Sequence, residues 1–81
     1  MPDVIDRINK MIAEKFRLDA STVNGQIHFE RDLRANGYDV SELLIDIEKE
    51  FNITIADDEA ENIQTVGQVL GFVEAKIPAH V

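Results

Sequence analysis

Three stretches of this chain repeat apolar residues at intervals of three and four, and that period restricts the folds open to it. In residues 3 to 16 the positions are Val4, Ile5, Ile8, Met11, Ile12 and Phe16. In the middle they are Val40, Leu43, Leu44, Ile47 and Phe51, and near the end Val66, Val69, Leu70, Val73 and Ile77. Each set lies along one side of a helix, so each helix has a face that only packing against the others can bury. Ile53 and Ile55 sit in an extended-looking segment, but no second strand is visible to pair with it. The chain is expected to be all-α.

Local signals mark where these helices begin and end. Asn36 is a good N-cap, with the acidic Asp39 three positions on, where it suits the first helical turn. Thr65 followed by Gln68 has the spacing of a capping box, and Pro78 stops the last helix. "ADDEAENI" is long enough for about two helical turns. From Arg17 to Leu33 the period disappears. Asn24-Gly25 signals a turn there, and Val23, Ile27, Phe29 and Leu33 are left to pin a long connection to the core. The expected architecture is a small four-helix bundle, three longer helices and one short one, with a long first loop. Its 81 residues allow no more than one domain, 1–81.

The net charge of −8 is unevenly placed. Residues 1 to 34 hold six acids and six bases, whereas residues 35 to 81 hold ten acids against Lys49 and Lys76. Such a field repels nucleic acid and anionic lipid and attracts basic protein surfaces. The N-terminus "MPDVIDRINK" lacks the apolar core of a signal peptide, and no apolar run approaches the ~18 residues of a membrane span. The expectation is a cytoplasmic, monomeric, soluble protein without nucleic-acid or membrane partners.

Little in the sequence can carry chemistry. With no cysteine, disulfides, thiolate metal sites and thiol nucleophiles are all excluded. His28 and His80 are isolated, one in the long loop and one in the tail, and read as surface or packing residues. The acids Asp57, Asp58, Glu59 and Glu61 lack the alternating oxygen ligands and central glycine of a calcium loop, so they read as a solvated or docking face. Tyr38, at a helix start, reads as an apolar plug with a wet tip. No catalytic residue and no metal site is expected, and the chain does not read as an enzyme.

Residues 28 to 73, "HFERDLRANGYDVSELLIDIEKEFNITIADDEAENIQTVGQVLGFV", closely resemble the acyl carrier proteins of fatty-acid and polyketide synthesis. Phe29, Asp32-Leu33, the acidic helix ending in "EKEF", the Ile-x-Ile step, "DDEAENI" and "TVGQV" all fit that pattern, and the first helix extends the match over nearly the whole chain. The family's defining motif is aspartate, serine and an apolar residue, the serine carrying a 4'-phosphopantetheine arm. Here those positions read Asn36, Gly37 and Tyr38. A hydroxyl at a helix N-terminus is exposed, and the free backbone N–H groups favour the phosphodiester it would bear. Gly37 keeps that position and lacks the oxygen, so no cofactor is expected on this chain.

The remaining roles come from the resemblance residue by residue. It implies an acyl pocket formed from core positions Phe29, Leu43, Ile47, Ala60, Ile63 and Val69. It also implies that Asp39, Glu42, Asp46 and Glu48 present carboxylates to basic surfaces of acyl-processing enzymes and of the phosphopantetheinyl transferase. Ser41 lies a full turn further into the helix, where attachment would need a different transferase pose, and Ser21 and Thr22 are in another loop. Two functions are open: a carrier made unmodifiable by the loss of its serine, or an arm-less module that docks on basic partners through its acidic helix. A small enzyme or metal-binding protein is disfavoured by the missing constellation of catalytic groups.

Overall fold

The computed structural model describes residues 4–77. Its three longer helices are α1, Val4–Phe16, α3, Gly37–Phe51, and α5, Val66–Lys76; α2, Phe29–Leu33, and α4, Asp57–Glu61, are single short turns. No strand occurs among the described residues, and residues 53 to 56 belong to neither helix nor strand. The tail "PAHV", with His80, lies outside them.

The caps explain the boundaries. Asn36 Oδ1 accepts the Asp39 N–H at 2.8 Å, while Asp39 Oδ2 accepts the Asn36 N–H at 3.2 Å, a reciprocal pair that starts α3. At α5, Thr65 Oγ1 accepts the Gln68 N–H at 3.3 Å and Gln68 Oε1 accepts the Thr65 N–H at 2.9 Å. Asn52 ends α3 in the left-handed region at φ 55°, a conformation asparagine tolerates better than most residues.

The long first loop holds more structure than its sequence suggests. A single 3-10 turn, Ala20–Thr22, is capped by Asp19 Oδ1, which accepts from the Ser21 N–H at 3.0 Å and the Ser21 hydroxyl at 2.8 Å. Helix α2 follows, so the bundle has two short helices rather than one. Five residues show only one apolar repeat, Phe29 to Leu33, which is too little for a period to register. Its cap is also unusual: His28 Nδ1 accepts the Arg31 N–H at 3.0 Å, and Asp32 Oδ2 accepts the His28 N–H at 2.8 Å.

What pins this loop is the start of α5. The Val66 N–H donates to Ile27 O and the Gly67 N–H to Gly25 O, each at 3.0 Å, so two first-turn donors that a helix leaves unpaired find loop carbonyls. The Phe29 N–H returns the exchange by donating to Gln64 O at 2.9 Å. Phe29 is thereby held in the core, with Ile8 and Ile12 of α1, Leu43 and Ile47 of α3, and Val69 of α5. Its ring meets Phe16 at a centroid distance of 5.9 Å. On the outside, Arg7 pairs with Glu50 and lies 4.5 Å from the centre of the Phe51 ring, joining α1 to α3.

Helix α4 is held differently, because none of its residues is buried. Glu59 clasps it: Oε1 accepts the Ala56 N–H at 3.0 Å and pairs with Lys76 Nζ of α5 at 2.9 Å. The Ala56 N–H and then the Lys76 ammonium hold the Glu59 carboxyl below its ordinary value, outweighing the opposing effect of desolvation. A carboxylate whose folded-state value is lowered stabilises the fold above its unfolded value and loses that contribution as pH falls through the folded one. Glu59→Gln should therefore lower the melting temperature at neutral pH and have little effect in strong acid. Melting curves across the acid range test this, and a loss independent of pH would remove the clasp from the account of α4.

Candidate functional site

The first residue of α3 is Gly37, exposed immediately after its Asn36 cap. Apart from its chain neighbours and the helix's own backbone, nothing lies within 4 Å of the place a Cβ on Gly37 would occupy, so a side chain can stand there without displacing anything. Beside it opens a cavity of about 470 Å³ between α2, α3 and α4. Phe29, Ala35, Val40, Leu44, Ala60 and Ile63 give it apolar walls. Its mouth carries Gly37 and Ser41 on one side and Glu30, Asp57 and Glu61 on the others.

The residues expected to form an acyl pocket divide into two groups. Phe29, Ala60 and Ile63 line this cavity. Leu43, Ile47 and Val69 are no more than 1% exposed and belong to the core cluster rather than to the cavity wall. Helix geometry accounts for the division: Gly37, Val40 and Leu44 lie at i, i+3 and i+7, one row of α3, and Leu43 with Ile47 forms the adjacent row. Counting from Gly37 rather than from the apolar stripe would have found Val40 and Leu44. Ala35 gives no comparable signal.

The four acids expected to face partners also differ among themselves. Asp39 is committed to the α3 capping box, and Glu48 Oε2 accepts the Ile55 N–H at 2.8 Å, securing the turn after α3. Glu42 lies 3.6 Å from Lys15 Nζ. Asp46 is exposed and, among the described residues, makes no hydrogen bond or ion pair. Tyr38 is no plug: 71% of it is exposed, because at the second position of α3 its side chain points away from the bundle. Ile45, which falls outside the apolar stripe, is 47% exposed on the same row as Tyr38, seven residues further on. The outward side of α3 therefore mixes free acid with exposed apolar surface.

No cluster of three or more His, Asp or Glu side chains able to hold a metal occurs among the described residues, and His28 is engaged in capping α2. None of the helices is long and apolar enough to cross a membrane. What remains is a scaffold: a capped helix start, open space above it and an apolar cavity beside it.

That arrangement is one of a helical carrier domain. Residues 6–73 match the family model described as the phosphopantetheine attachment site, and the chain belongs to that family. Among solved structures, the acyl carrier protein from Enterococcus faecalis is 32% identical, with a TM-score of 0.78 and coverage of 90% of this chain and 92% of the other. A candidate acyl carrier protein from Mycobacterium tuberculosis is 29% identical, with a TM-score of 0.84 and coverage of 90% and 97%. The family implies 4'-phosphopantetheine, which needs an alcohol oxygen to bear its phosphodiester. Asn36 and Gly37 offer none, and the residues at this helix start do not fit covalent attachment through a serine oxygen.

Proposed function

We propose that this chain is an acyl-carrier scaffold of fatty-acid or polyketide-type metabolism in which Gly37 stands at the attachment position, so that it works without an arm. The supporting observation is local. The helix start keeps its reciprocal cap and the space above residue 37 is open, while the one atom that attachment requires is missing. A serine there would meet no obstacle. Loss of a carrier site through misfolding would have left a different picture, with the cap broken or the space filled.

Docking is the part of carrier function that survives. The α3 face with Asp46, Glu42, Tyr38 and Ile45 suits a partner surface that is basic around an apolar contact, and this favours the second reading, an arm-less interaction module. Its ionic contacts are solvent-exposed, so each contributes about 0.2–1 kcal/mol and is screened by salt, as a partner that must dissociate requires.

The chain should therefore compete with an ordinary carrier protein for a phosphopantetheinyl transferase without being consumed. In a loading assay on that carrier, the Asp46→Lys, Glu42→Lys double variant should inhibit about five- to tenfold less well, the effect of reversing two exposed charges. Inhibition unchanged by the double substitution would move the docking surface off α3.

A further inference from the structure

We propose that the cavity beside Gly37 receives one apolar side chain from a basic segment of a partner protein, a non-covalent anchor for docking. The inference rests on the arm-less reading above and adds to it a site and a partner chemistry.

Three observations carry it. The first is room with the right lining: about 470 Å³, within the ordinary range of ligand pockets, walled by Val40, Leu44, Ala60 and Ile63 among others. A Leu or Met side chain entering it would leave water for apolar contact on several sides. The second is charge. Three carboxylates, Glu30, Asp57 and Glu61, line the cavity along with His28, and no Lys or Arg does. A free fatty acid, whose carboxylate would have to rest at that mouth, is repelled, whereas Lys or Arg residues flanking an apolar anchor are attracted.

The third is access. Gly37 has no side chain and nothing within 4 Å of its Cβ position, so a partner backbone can approach the mouth closely from the α3 side. On the opposite side, α4 contributes the half-buried Ala60 to the wall and places Asp57 and Glu61 beside it, so the acids stand next to the apolar surface an anchor would touch. An acidic rim, an apolar interior and open access above Gly37 together describe a receptor for a basic segment with a single apolar anchor.

The test is a nuclear magnetic resonance titration of the whole chain with a short amidated peptide of lysine and alanine carrying one central leucine. The same peptide with asparagine for leucine, and decanoate, serve as the other probes. The leucine peptide should give saturable shifts at Val40, Leu44, Ala60 and Ile63, and the asparagine peptide should bind at least about tenfold more weakly, as expected for one buried leucine side chain. Glu61→Gln should weaken the leucine peptide and leave the fold intact, since Glu61 is exposed.

Equal binding of the two peptides, with shifts confined to exposed acids, would reduce the site to general charge attraction and overturn the proposal. So would tighter binding of decanoate, or no saturable shift at any cavity residue. The arm-less reading is judged separately, by whether Gly37→Ser accepts an arm: a variant that is loaded while the cavity ignores the leucine peptide defeats this inference alone.

Discussion

Phe29→Ala should destabilise the domain by about 3–5 kcal/mol, a large part of the 5–15 kcal/mol that holds a typical domain together. The side chain is 1% exposed and meets Phe16 from α1, so its removal opens a void between elements that the remaining side chains cannot close. It also supplies part of the wall beside Gly37, so the cavity should grow as the fold weakens. Urea unfolding measures the effect. A loss below about 1 kcal/mol would mean that the long loop is held by its backbone bonds to residues 64–67 rather than by this anchor.

Alanine at two glycines of α5 should act in opposite directions. In an exposed helix interior, Gly→Ala stabilises by about 0.8–1 kcal/mol, and Gly71, with nothing within 4 Å of its Cβ position, should show that gain. At Gly67 the added Cβ would sit 2.9 Å from Gly25 O, a backbone atom that also accepts the Gly67 N–H. Neither partner can rotate away, so Gly67→Ala should cost about 2–3 kcal/mol net of the propensity gain and loosen the loop from α5. Thermal melts of the two single variants decide this. A gain in stability at both sites would show that the close approach of Gly25 to Gly67 is not needed for the fold.

These two sites also show what the sequence made legible. The three long helices, their stripes and the caps Asn36 and Thr65 were readable because each is a short-range pattern repeated several times or fixed by one side chain. Helix α2 was not, since five residues contain one apolar interval and its cap is a histidine nitrogen rather than a hydroxyl or carboxylate. The pairing of the loop with α5 was hidden as well: Gly25 and Gly67 are 42 residues apart, and nothing in either local sequence names the other. At the candidate site, Gly37, Phe29, Ala60 and Ile63 came from the pattern of a carrier family. The separate fates of Asp39, Glu42, Asp46 and Glu48 did not, because which carboxylate serves the fold and which faces solvent depends on neighbours brought in by the turn after α3 and by α1.

The central claim is that this scaffold is a carrier lacking one oxygen. The most direct test is the intact mass of the chain and of its Gly37→Ser variant after incubation with coenzyme A and a broad-specificity phosphopantetheinyl transferase. The expected result is a gain of one phosphopantetheine unit by the variant and no change in the original chain. A gain by the original chain would contradict the claim and place attachment elsewhere, first at Ser41 on the rim of the same cavity. A folded variant that stays unmodified would show that residue 37 is not the attachment position.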